Sequence, residues 1–154
     1  MESIYFLHRY AYTRNMQQYL SDNGHFLVVA KGEEVVSALD AFAREHNLQS
    51  AWVSGIGGSA KITIGFRDPE RKEYLWRTYD GPLEIISLQG NLARVNNEPF
   101  WHLHGTFAGA DYIAIGGHVK EVVVGLTCEL FITPTPLRLT RHHDEDTGLK
   151  LLGQ

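Results

Sequence analysis

From Ala51 to Thr133 the hydrophobic residues recur at period two, and an alternation sustained over so much of the chain commits it to β-sheet. Strands are expected at Ala51–Ser54, Lys61–Phe66, Glu73–Tyr79, Leu83–Leu92, Phe100–Phe107, Tyr112–Ile115 and Val122–Thr133, with a turn at Asp68-Pro69. In the last and longest of these, Val124, Leu126, Cys128, Leu130 and Ile132 share one face. Thr127, Glu129 and Thr133 share the other, the mark of a sheet packed more tightly on one side.

Helical periodicity occurs once. After a turn cluster at Ser21-Asp22-Asn23-Gly24 and a buried strand over Phe26–Ala30, the segment Lys31-Gly32-Glu33-Glu34 reads as a helix start. Its two acids suit the positive end of the helix dipole. Val35, Val36, Leu39, Phe42 and Ala43 then fall at helical spacing, and the helix is expected to end near His46-Asn47. A short helical turn is expected over Asn15–Leu20. The tail from Thr140 to Asp146 is expected to be a solvated charged run, with Leu149, Leu151 and Leu152 docking back. The fold class is therefore α+β, a largely antiparallel sheet with one main helix packed on it. At 154 residues the chain is about one domain, read as an N-terminal extension over 1–24 and a domain over 25–152.

Several classes of function are disfavoured. Cys128 is the only cysteine, so no internal disulfide can form. No apolar run suffices for a membrane span, and the N-terminus lacks the basic start and apolar core of a signal peptide, so a cytoplasmic location without membrane contact is expected. The formal net charge is −4, and Arg67, Arg71, Lys72 and Arg77 are interleaved with Asp68, Glu70 and Glu73. That is a mixed surface and not a track for nucleic-acid phosphates.

The most informative segment is Trp101-His102-Leu103-His104. Side chains alternate along a strand, so His102 and His104 point one way while Trp101, Leu103 and Phe107 point to the core. His118 follows in Ile115-Gly116-Gly117-His118, beyond a turn at Gly109-Ala110-Asp111. A hairpin centred on Ala110 sets His102 directly across from His118, with Cβ atoms about 5 Å apart and His104 on the same face. A register shift of one residue would turn His118 away. Three imidazoles that converge can hold a divalent ion and leave a fourth position open, as catalytic zinc sites do. The competing readings are ordinary strand histidines on a wet face and interface histidines that bind no metal.

Glu84 shares the expected face of Ile86, Leu88 and Leu92. A carboxylate so placed could act as a general acid or base, or as a partner to a histidine, or it could be an edge carboxylate reaching water. Gly55-Ile56-Gly57-Gly58-Ser59-Ala60 has the letters of a dinucleotide-binding loop. It is followed by strand-like alternation instead of a helix, so it is read as a glycine loop joining two strands. Cys128 lies in the apolar register and reads as a small core residue. His142-His143-Asp144-Glu145-Asp146 reads as a solvated run and not a metal site.

Taken in order, a set of segments resembles the plants and prokaryotes conserved (PPC) domain family. They are Lys31-Gly32-Glu33-Glu34, Ser54-Gly55-Ile56-Gly57, Leu83 through Gly90-Asn91, Pro99-Phe100-Trp101-His102-Leu103-His104, Gly116-Gly117-His118, Thr127-Cys128-Glu129-Leu130, and Arg141 through Asp144 to Thr147-Gly148-Leu149. The resemblance covers roughly residues 25–152. It implies an α+β fold, a homotrimer, and in prokaryotic members a histidine metal site matching His102, His104 and His118. The wider fold is also similar to that of acetolactate decarboxylase, a three-histidine zinc enzyme. The family is associated with DNA binding, although its plant members carry a separate Arg-Gly-Arg-Pro hook that this chain lacks. Three readings of function follow. The first is a trimeric metal-binding protein with a regulatory or DNA-associated role. The second is a zinc-dependent enzyme acting on a small carbonyl or carboxylate compound, with Glu84 moving a proton. The third is a structural metal at a subunit interface. Zinc is the favoured ion, with nickel and copper also chemically acceptable.

Overall fold

The computed structural model describes residues 16–153. Residues 1–15 of the N-terminal extension, including Asn15 of the expected helical turn, lie outside the described residues. The elements are β1 (Gln17–Tyr19), β2 (His25–Ala30), α1 (Val35–Glu45), β3 (Ala51–Asp68), β4 (Glu73–Val95), β5 (Glu98–Ala108), β6 (Ala114–Pro134), β7 (Thr140–Asp144) and β8 (Leu149–Gly153). Among the described residues the result is a mostly β fold with one short helix.

The strands run in the order β1-β2-β6-β3-β4-β7-β8, while β5 pairs with both β4 and β6. Because β3 also pairs with both β4 and β6, the four long strands close a ring of hydrogen bonds. All pairings are antiparallel except that of β4 with β7, at Arg94 and Thr140.

The helix is set by its cap. Glu34 is the N-cap residue, and its carboxylate accepts from the backbone N–H groups of Val36 at 2.9 Å and Ser37 at 2.7 Å. The same carboxylate accepts from the Val122 N–H at 3.2 Å, tying the start of α1 to β6. Val35, Ala38, Leu39, Phe42 and Ala43 form the buried stripe, and His46 caps the C-terminus as expected. These residues pack with Leu27, Leu88, Leu92, Leu103, Phe107, Leu130 and Ile132 in one core.

Six sequence expectations need correction. Gln17–Tyr19 is a strand and not a helical turn, because it pairs with Phe26–Val28 of β2, and Gln18 is buried there. The glycine stretch after Ser54 is no loop: Gly55 to Ala60 continue β3 through irregular register, where Gly57 faces Cys128 and Ser59 faces Val124. That irregularity lets β6 bulge, and Leu126, expected in the core, is instead 71% exposed. The two strands expected over 73–79 and 83–92 are one, β4, and the short strand expected over 112–115 is the start of β6, with Tyr112 in the preceding turn. The C-terminal tail is not a free charged run. Thr140–Asp144 pairs with Leu149–Gly153 as a hairpin laid beside β4, and this buries Arg141.

Candidate metal centre

β5 delivers its two histidines by simple alternation. Trp101, Leu103 and Phe107 are buried in the core, so His102 and His104 project from the opposite face. The third histidine depends on the β5–β6 hairpin. Its turn is held by the Tyr112 N–H donating to the Gly109 carbonyl at 3.0 Å, and by the Ile113 N–H donating to Asp111 Oδ1 at 3.1 Å. Tyr112 accepts a φ of 59° there. The hairpin therefore centres on Asp111, one residue beyond the expected position, and His104, not His102, faces His118 directly. Moving the centre by one residue moves the pairing by two, so the face of every side chain is preserved.

All three rings meet. One nitrogen from each of His102, His104 and His118 lies within 4.8 Å of the other two. Ring centroids are 5.1 Å apart for His102 and His104, 5.0 Å for His102 and His118, and 5.4 Å for His104 and His118. Nδ1 of His118 is buried and has no hydrogen-bond partner. Burial, followed by the neighbouring His102, His104 and Arg141, pushes the His118 pKa down to about 4. Burial is also the main cause of the lowered His102 pKa, with Arg141 and His104 adding to it. These two rings are therefore neutral at pH 7, the form in which imidazole binds metals.

Glycine makes the approach of β5 to β4 possible. A Cβ built at Gly90 would lie 2.0 Å from the carbonyl oxygen of His102, so any side chain at residue 90 would push β5 away. Beside His118, Tyr74 and Trp76 stack on each other at 4.8 Å, and the Tyr74 ring lies 4.8 Å from the His118 ring.

Sequence reasoning missed the second layer of the site. Asn91 pairs with His102 across the β4–β5 ladder. Its Oδ1 accepts from Arg141 Nη2 at 2.7 Å, and that same nitrogen lies 3.4 Å from His102 Nδ1. Asn91 could have been found from strand pairing, since it sits in the Gly90-Asn91 segment opposite the histidine motif. Arg141 could not, because nothing in its local pattern shows that the tail folds back on β4.

Glu84 is not brought to the histidines. The ladder between β4 and β5 slips between Ile85 and Ser87, which buries Ile85 and Leu88 but leaves Glu84 and Ile86 exposed. Glu84 faces Ala108, which is about 13 Å along β5 from His104 at the ordinary strand rise. It lines an open groove with Ile56, Ile86 and Leu126 instead. His142 and His143 are exposed on β7, and Nε2 of His143 approaches Glu145 at 3.6 Å. Cys128 is fully buried, and burial pushes its thiol up to about 12, as befits an inert core residue.

The model of the Plants and Prokaryotes Conserved (PCC) domain matches residues 16–136, and the chain belongs to that family. Among solved structures, a candidate DNA-binding protein from Bacteroides thetaiotaomicron is 28% identical, with a TM-score of 0.87 and coverage of 90% of this chain and 96% of the other. A protein from Archaeoglobus fulgidus described as metal-containing is 32% identical, with a TM-score of 0.81 and coverage of 92% of this chain and 100% of the other. Acetolactate decarboxylase from Bacillus subtilis is 14% identical at a TM-score of 0.51, over 78% of this chain and 66% of the enzyme, a likeness of fold alone. No curated protein matches the chain. Among the described residues no helix is long and apolar enough to cross a membrane.

Proposed function

We propose that this chain is a divalent-metal-binding protein that holds its ion, zinc by preference, on His102, His104 and His118 and presents it to a small carbonyl or carboxylate compound. One observation carries the reading: three imidazoles drawn from two strands place their nitrogens within 4.8 Å of each other, and a buried ring nitrogen of His118 lacks any partner in the protein. An unsatisfied buried polar atom is costly, and a cation bound there would remove that cost. The donor set suits zinc, and three protein ligands leave a position for water or substrate. Bound there, the ion would polarise a carbonyl or lower the pKa of a water molecule. Glu84 lies outside this arrangement within one protomer, so the proton-transfer role is not assigned to it.

The metal-containing relative from Archaeoglobus supports this reading. The DNA-binding name of the Bacteroides relative supports a nucleic-acid partner instead. Against that, Arg71 lies near Asp68 and Glu73, and Lys61 pairs with Glu121 at 2.9 Å, so these cations are offset by acids. A homotrimer is part of the proposal. Ile56, Ile86 and Leu126 line one groove, each more than half exposed in the single chain, and a subunit contact would cover them.

Elemental analysis of untagged protein, wild type beside His104→Ala, tests the metal reading. One equivalent of a transition metal per chain is expected in the wild type, and its loss in the variant. Equal metal content in both proteins would refute it. A mobility-shift titration over a range of salt tests the DNA reading, and retained binding to duplex DNA at physiological salt would restore it.

A further inference from the structure

Beside the three histidines lies a cavity of about 280 Å³, walled by Tyr74, Phe100, His102, His118, Arg141 and Lys150. Two of its walls carry positive charge, and among the described residues no acidic side chain lines it. Arg141 is only 8% exposed, yet no carboxylate pairs with it among the described residues. Its Nη1 donates to the Lys150 carbonyl at 2.9 Å and its Nη2 to Asn91 Oδ1 at 2.7 Å, while Nε is buried without a partner. Neutral acceptors thus fix the guanidinium in place without neutralising it. A buried, uncompensated charge is expensive, and an anion is what would compensate it.

The position of Arg141 narrows the choice of anion. Its Nη2 stands 3.4 Å from His102, against the histidine cluster itself. Three neutral imidazoles leave the full charge of a divalent ion uncancelled, so Arg141, Lys150 and the ion would repel one another unless an anion lay among them. The rest of the cavity is apolar. The Phe100 ring lies 5.5 Å from the Arg141 guanidinium carbon and 5.4 Å from Lys150 Nζ, the Tyr74 ring stands on the His118 side, and Leu149 and Leu151 add aliphatic surface. The space falls just below the usual range for drug-sized ligands, about 300–1,000 Å³.

We propose that this cavity is a subsite for a small monocarboxylate with a flat or short apolar body. Its carboxylate is received by Arg141, with Lys150 at the mouth, and its body rests between Tyr74 and Phe100. The inference rests on the metal reading and extends it by narrowing the ligand to a monocarboxylate and assigning its carboxylate to Arg141.

The test is calorimetric titration of the zinc-loaded and the metal-free full-length chain with benzoate, with neutral benzamide, and with inorganic phosphate. Benzoate is expected to bind at least roughly tenfold more tightly than benzamide, because the amide offers Arg141 no charge. Arg141→Gln is expected to weaken benzoate by roughly tenfold or more, and the exposed Lys150→Glu by about as much, with zinc content unchanged in Lys150→Glu. Lys150→Glu keeps the test decisive if Arg141→Gln does not fold. Equal affinity for benzoate and benzamide, or benzoate binding untouched by either variant, overturns the proposal. So does phosphate binding more tightly than benzoate, which would leave the apolar walls without a role. If zinc binds and benzoate does not, the subsite falls while the metal reading stands. If zinc does not bind but benzoate binds in an Arg141-dependent way, the metal reading falls and the anion subsite stands.

Discussion

Substituting alanine for Gly90 tests how strictly the β4–β5 contact positions the histidines. The new Cβ would sit 2.0 Å from the His102 carbonyl oxygen and 2.8 Å from Leu103 Cδ2. A comfortable carbon–oxygen contact is about 3.3 Å, so β5 must retreat by about 1.3 Å at His102. The overpacking alone costs about 1–3 kcal/mol of stability. The effect on the site is larger than that figure conveys, because a ligand set tolerates only about 0.5 Å of misplacement. Zinc affinity is expected to fall about 10- to 100-fold, the range seen when groups that orient metal ligands are removed. The assay is competition against a chromophoric chelator, run beside thermal denaturation. Gly57→Ala is the control: its Cβ would lie 2.2 Å from the Thr127 carbonyl oxygen, a clash of similar severity opposite Cys128, ten residues along β6 from His118. It should lose comparable stability and keep its zinc affinity. Wild-type zinc affinity in Gly90→Ala, or the same loss in both variants, would refute the reasoning.

Acid should destabilise the metal-free protein through His118. Its folded pKa of about 4 lies below the 6.5 of an unfolded chain, so between these values the unfolded state binds more protons. The contribution is complete above pH 6.5 and lost as pH falls toward 4. It amounts to about 2 kcal/mol once partial solvent access is allowed for. Urea denaturation at both ends of that window should show this loss in the wild type and a smaller one in His118→Gln; equal losses would exclude His118 as the cause. Glu34→Ala removes the cap of α1 and its link to Val122, and should lower stability by about 1–2 kcal/mol in denaturant unfolding. Leu126→Asp places a charge on the most exposed residue of the apolar groove. Light scattering should show the oligomer dissociating with zinc content retained, and a wild type that is already monomeric would remove the trimer from the proposal.

What the sequence determined by itself was the periodic part of the molecule. Alternation around Trp101 and Leu103 was enough to place His102 and His104 on one face, and 3.6-residue spacing was enough to find α1, because both periods are properties of the local backbone. His118 shares the face of His102 and His104 despite a pairing two residues from the expected one, for the same reason: an even shift keeps the face. Three features were decided only in three dimensions. Bulges in β6 opposite Gly58 and in β4 at Ile86 moved Leu126 out of the core and turned Glu84 from its expected face, since extra residues break the local alternation of a strand without changing composition. β3 runs unbroken through the glycine segment that reads as a loop, because β4 and β6 on its two sides supply hydrogen-bond partners to that backbone, and β4 continues from Tyr79 to Leu83 against β3. The placement of Arg141 against His102 depends on the tail returning to β4 at Arg94 and Thr140. That contact joins residues far apart in the chain, and its reward is tertiary burial, which no local pattern of charges encodes.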